Sequence, residues 1–102
     1  MERVKILRYE NGGKYKWHTD CGAKETSTRK LTAIVQLSDE TKYEGGNLEF
    51  GITDETGENN YTAPRTRGSI TIFPAFLSHR VTPITKGRRY SLITWMLGDC
   101  FV

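Results

Sequence analysis

Apolar residues in this chain alternate with polar ones over short stretches, and almost nowhere do they recur every third or fourth position. Gly, Asn, Asp and Pro break the stretches at close intervals. That period of two, punctuated by turn residues, predicts an all-β sandwich or barrel. Residues 3–9 read as a first strand, and Asn11-Gly12-Gly13 as a turn, since glycine takes positive φ without steric cost. Residues 15–20 form a second strand, with Lys16, His18 and Asp20 on one face and Tyr15, Trp17 and Thr19 on the other.

The following segments carry the same signal. Residues 21–28 make a polar loop directly after His18 and Asp20. Residues 29–37 are a strand whose apolar positions Leu31, Ala33, Val35 and Leu37 predict a core-facing side. Gly45-Gly46 is a turn or bulge leading into a strand over 47–52, with Leu48, Phe50 and Ile52 together. The acidic stretch 54–60 reads as a solvated hairpin tip and matches no calcium loop. Residues 61–65 are a weak strand broken by Pro64, and 69–73 a stronger one. Leu77, His79 and Val81 share a face, and 83–87 reads as a turn. The last strand, 89–97, is largely apolar on both faces, which predicts a central or covered position.

Length and composition narrow the classes. The 102 residues suffice for one domain with one modest core, and no repeat or linker interrupts them. No apolar run approaches the roughly 18 residues of a membrane span, and the first residues lack the apolar stretch of a secretory signal. The net charge of +3 is dispersed, unlike the clustered stripe of a nucleic-acid surface, so a nucleic-acid partner is not expected. Two cysteines, Cys21 and Cys100, with no export signal, imply a reducing, cytoplasmic setting without a disulfide.

The candidate chemistry lies in very few residues. The chain has two histidines, His18 and His79. Asp20 lies two positions after His18, so in an extended strand both can grip one ion from the same side. Two imidazoles and one carboxylate are the facial donor set of non-haem Fe(II) oxygenases, which leaves ligand positions open. Arg89 opens an apolar strand face that supplies no acid. An unpaired buried charge is costly, so Arg89 calls for a bound anion or an acid from elsewhere in the fold.

At this point a family likeness can be read. Tyr9-x-x-Gly12-x-x-Tyr15-x-Trp17-His18-x-Asp20 resembles the opening of the prolyl 4-hydroxylase-like Fe(II)/2-oxoglutarate dioxygenases. Tyr43-Glu44-Gly45-Gly46-x-Leu48-x-Phe50 resembles their middle strand entry. Gly68-Ser69-x-x-x-Phe73-Pro74, His79-Arg80-Val81-Thr82-Pro83 and Gly87-x-Arg89-Tyr90-Ser91 resemble their C-terminal half. The branch most resembled is the PKHD-type hydroxylases, in the right order from Tyr9 to Trp95.

The resemblance implies a double-stranded β-helix, a cupin-like jelly roll of two facing antiparallel sheets. It implies that His18, Asp20 and His79 hold Fe(II), that Arg89 pairs with the distal carboxylate of 2-oxoglutarate, that Ser91 assists it, that Tyr9 lies near this cosubstrate, and that Trp95 walls the pocket. With O₂ as second cosubstrate, it implies hydroxylation of an unactivated C–H bond, with release of succinate and CO₂. The substrate would be a peptide, through a peptidyl proline, or a small molecule. Nucleic-acid demethylation fits less well, since Trp95, Met96 and Leu97 stand where that group carries a further arginine. A non-catalytic, cupin-like binding module or an inactive fragment is the alternative of a different class. The chain reads as a single core domain over residues 1–102 that begins almost directly with the first strand, without the helices that usually precede it in the family. Bare apolar outer positions would then favour a homodimer.

Overall fold

The computed structural model describes residues 4–20, 29–51 and 61–98. The loop at 21–28, the acidic stretch at 54–60, and Arg3, Ile52, Cys21 and Cys100 lie outside the described residues.

Nine strands are described: β1 Lys5–Glu10, β2 Tyr15–His18, β3 Arg29–Gln36, β4 Tyr43–Gly45, β5 Leu48–Phe50, β6 Tyr61–Thr62, β7 Ile70–Pro74, β8 His79–Val81 and β9 Ile84–Leu97. A 3-10 turn, Glu40–Lys42, precedes β4. The strands form two antiparallel sheets. The larger runs β1-β9-β3-β7, with β4 pairing the first part of β9, and the smaller runs β2-β8-β5-β6. Apart from β3-β4 and β5-β6, consecutive strands fall in different sheets, and the chain winds as the expected jelly roll. Among the described residues, no helix is long and apolar enough to cross a membrane.

The core lies between the sheets. Tyr9, Ile34, Ile93 and Trp95 from the larger sheet meet Leu48, Phe50 and Val81 from the smaller. Phe73 packs edge-on against Phe50, with ring centroids 4.7 Å apart, and edge-on against the His79 ring at 4.8 Å. Such aromatic pairs contribute about 0.5–1.5 kcal/mol beyond area burial. Here they also fix the orientation of a histidine that is only 2 % exposed.

Three expectations are corrected. The inward face of β3 is not Leu31, Ala33 and Val35 but Thr32, Ile34 and Gln36, which are buried while the apolar set is only half-buried. The strand alternates as expected but in the opposite phase, because its inward positions carry hydrogen-bonding partners for the site. Leu37 accordingly lies beyond β3 and is not among the residues that line the cavity described below. The 83–87 stretch is not a turn: β9 starts at Ile84 and pairs there with β4, Gly45 opposite Ile84 and Tyr43 opposite Gly87. Gly87 has φ 76°, and a Cβ there would collide with the carbonyl oxygen of Lys42, so glycine is what lets the strand pass β4 so closely. Finally, β2 ends at His18; the Asp20 N–H donates to the carbonyl of Ala75 at 2.8 Å, tying it to the turn between β7 and β8.

Candidate active site

The structure brings His18, Asp20 and His79 together, with one potential donor atom of each within 4.8 Å of the others. His18 ends β2 and His79 begins β8, and the two are register partners in the smaller sheet. The pairing brings His79, 61 positions further along the chain, to a ring-centroid distance of 4.2 Å from His18. The His18 Nε2 lies 3.3 Å from Asp20 Oδ1, and the His79 Nε2 lies 3.4 Å from Asp20 Oδ2.

Hydrogen bonds behind each ring fix how these atoms act. His18 Nδ1 lies 2.7 Å from the Lys16 carbonyl, and His79 Nδ1 lies 2.9 Å from the Leu77 carbonyl. A carbonyl only accepts, so each Nδ1 carries the proton, and in a neutral ring each Nε2 presents a lone pair toward Asp20. Two lone pairs facing one carboxylate require a cation between them, either a proton or a metal ion. This is the donor set and second-layer hydrogen bonding of an imidazole-carboxylate metal centre. The residues present therefore fit a divalent ion.

Asp20 is buried at 6 % exposure and receives two further hydrogen bonds on Oδ2, from the Thr32 hydroxyl at 2.7 Å and the Trp95 indole N–H at 3.1 Å. Burial alone would raise its pKa, but hydrogen bonds from His18, His79 and Thr32, with the charge of His79, outweigh burial and hold the carboxyl well below the usual range. Burial acts to lower the His18 pKa, while its bonds to Asp20 and the Lys16 carbonyl reverse this and leave the value raised. With Oδ2 engaged by two neutral donors, Oδ1 is the oxygen left for a metal.

The site opens into a cavity of about 210 Å³, below the usual range for drug-sized ligands and suited to a small acid. The triad lies at one part of its wall and Arg89 and Ser91 at another, with Tyr9, Ile93 and Trp95 also lining it. Arg89 is 1 % exposed. Its Nη2 donates to the Gln36 side-chain carbonyl at 2.6 Å, its Nη1 reaches the Ser91 hydroxyl at 3.4 Å, and its Nε has no partner. No carboxylate pairs with it among the described residues. Burial pulls its pKa down from the ordinary value, while Tyr43 and Tyr9 act in the opposite sense. A buried guanidinium with an unsatisfied N–H and no counter-ion fits a bound carboxylate, which it can meet bidentately. Tyr9, whose ring centroid is 5.3 Å from the guanidinium carbon, has its own pKa raised, chiefly by burial.

The family model for the 2OG-Fe(II) oxygenase superfamily matches residues 4–97. The chain belongs to that superfamily. Among curated proteins, the chain is 34% identical over 96 residues to a PKHD-type hydroxylase of Idiomarina loihiensis, covering 94% of the chain and 42% of the relative. It thus spans less than half of that relative's length. Among solved structures, a prolyl-4-hydroxylase of Pseudomonas putida superposes with a TM-score of 0.79 at 21% identity, over 94% of this chain and 52% of the other. A prolyl hydroxylase of Trichoplax adhaerens, in complex with a hypoxia-inducible-factor peptide fragment, superposes with a TM-score of 0.73 at 18% identity, over 95% and 43% of the two chains. These two likenesses establish the shared fold.

Some residues that shape this site are not legible in the sequence. Thr32 orients Asp20, and Gln36 orients Arg89 while its own amide N–H donates to the Tyr43 hydroxyl at 2.9 Å. The available signal was the polar set Thr32 and Gln36 at alternate positions of an apolar strand. Trp95, read as a pocket wall, also donates a hydrogen bond to Asp20. Gly46, expected as a turn, also clears space for β9, since a Cβ there would collide with the Ile84 Cδ1 and stand 3.2 Å from the Arg89 Cδ.

Proposed function

We propose that this chain is the catalytic core of an Fe(II)- and 2-oxoglutarate-dependent dioxygenase that hydroxylates an unactivated C–H bond, with a peptidyl proline as the substrate group. One observation carries this reading: a single cavity holds both a two-histidine, one-carboxylate cluster and a buried arginine without a counter-ion. The family's name supplies the iron and the 2-oxo acid, and the names of the structural neighbours supply the proline.

In this reading His18 and His79 through Nε2, and Asp20 through Oδ1, would hold the ion. The iron, when bound with 2-oxoglutarate, supplies the oxidative chemistry that couples O₂ to decarboxylation and C–H hydroxylation. The protein's own residues do the rest. Lys16 and Leu77 carbonyls hold the imidazole protons on Nδ1, Thr32 and Trp95 hold Oδ2, and Arg89 with Ser91 receives the distal carboxylate. The apolar walls Ile34, Leu48 and Ile93 exclude water and strengthen the carboxylate-guanidinium pair.

Incubation of the Fe(II)-loaded chain with 2-oxoglutarate, O₂ and proline-containing peptides tests this reading. Mass spectrometry should show a peptide gaining one oxygen atom. If no peptide is oxidised and 2-oxoglutarate is not bound, the cupin-like binding module becomes the better reading. The outward apolar residues Ile6, Ile70 and Ile72 of the larger sheet, all more than half exposed, are where a second copy would pack if the chain is a homodimer. Sedimentation should then give twice the chain mass, reduced to a monomer by Ile72→Lys.

A further inference from the structure

The cavity wall passes outward at Tyr15 into a surface groove lined by Lys14, Lys16, Trp17, Arg80 and Pro83. Tyr15 belongs to both, and its ring lies 3.9 Å, centroid to centroid, from that of His18. His18 is the more exposed of the two histidines, at 23% of its side chain against 2% for His79. The groove therefore adjoins the cavity on its His18 side, away from the arginine end.

The chemistry of the groove is aromatic and basic. Trp17 and Tyr15 are 41 % and 49 % exposed. Arg80 stacks on the Trp17 ring at 4.7 Å and is itself neutralised by Glu49, with Nε and Nη2 at 2.7 and 2.6 Å from Oε1. That leaves Lys14 and Lys16 as the unbalanced charges, and no acid lines the groove among the described residues. Lysines on an outer strand such as β2 can serve only to deter strand pairing. Half-exposed Trp17 and Tyr15 on the same strand work against that purpose and provide adhesive area instead.

We infer that this groove binds an acidic peptide segment adjoining the residue to be hydroxylated, its carboxylates facing Lys14 and Lys16 and its apolar side chains lying on Trp17 and Tyr15. The inference rests on the hydroxylase reading and narrows its substrate class. A pair of proline-containing peptides tests it, identical except that Glu flanks the proline in one and Gln in the other. Calorimetry on the metal-loaded chain at low salt should show the Glu peptide binding roughly tenfold tighter, with the preference fading as salt rises. The Lys14→Glu/Lys16→Glu variant should invert the order, preferring a Lys-flanked peptide. Equal binding of Glu and Gln peptides, or an unchanged order in the variant, would overturn the groove assignment. The hydroxylase reading is read out separately: succinate formed without discrimination between peptides leaves the enzyme and removes the groove, whereas discrimination without succinate from any peptide leaves the groove and removes the enzyme.

Discussion

The indole N–H of Trp95 donates to the carboxylate of Asp20 at 3.1 Å, across 75 positions of the chain. This bond joins the long β9 strand of one sheet to the metal-cluster residue that follows the edge strand of the other. Together with Thr32 it engages Oδ2 and so settles which oxygen remains for an ion. Trp95→Phe keeps the ring and removes the donor. Anaerobic titration should then show Fe(II) affinity falling about tenfold to a hundredfold, the usual effect of losing a partner behind a metal ligand. Thr32→Val should act in the same direction, and Thr32→Ser should restore binding. Unchanged affinity in Trp95→Phe and Thr32→Val would mean that the two donors serve packing alone.

Arg89 and Gln36 answer for the other part of the cavity. Arg89→Ala should weaken 2-oxoglutarate binding by about 2–5 kcal/mol, the common result of removing one partner of a buried charge pair, while Fe(II) binding persists. Gln36→Leu leaves the guanidinium in place but strips its 2.6 Å acceptor and the partner of the Tyr43 hydroxyl. A loss of about 1–3 kcal/mol in 2-oxoglutarate affinity is expected, again with iron retained. Calorimetry with each ligand separately distinguishes these outcomes from general misfolding.

The metal-free protein should respond to pH in a way that metal reverses. The raised pKa of His18 contributes stability that is complete below about pH 6.5 and is lost as pH rises through the folded-state value. The depressed pKa of Asp20 contributes stability present above about pH 3.9 and lost as pH falls through its folded-state value. Without metal, these two groups favour the folded chain most between those limits. Metal ligation needs neutral imidazole, so a redox-inert ion such as Mn²⁺ should stabilise more strongly above pH 6.5 than below it. Thermal melting across pH, with and without Mn²⁺, should show the optimum moving upward when the ion is present. An optimum that stays put would separate the ion from these histidines.

How much of this could be read beforehand depends on what each residue needs. The clustering of His18, Asp20 and His79 and the burial of Arg89 were legible because these are rare residue types that the family likeness sets side by side, and the strand alternation of β9 placed Arg89, Ser91, Ile93 and Trp95 on one inward face as observed. The phase of β3 was not legible by hydrophobicity, because its inward positions Thr32 and Gln36 are polar residues satisfied by Asp20 and Arg89, partners known only once the sheets face each other. The extension of β9 back to Ile84 was hidden for a similar reason: Pro83 and Gly87 look like turn residues locally, and only pairing with β4 reveals a strand. Local pattern reports an element's face; long-range hydrogen bonds decide which face is inward.

The central claim is that one cavity couples a bound metal to a bound 2-oxo acid. Succinate production by the Fe(II)-loaded chain, supplied with 2-oxoglutarate and O₂, tests it most directly when wild type, His79→Ala and Arg89→Ala are compared. The wild type should form succinate in an iron-dependent manner, His79→Ala should form none, and Arg89→Ala should recover part of its rate at high 2-oxoglutarate. Absence of succinate from an iron-loaded, folded wild-type chain, or equal rates in all three proteins, would contradict the account.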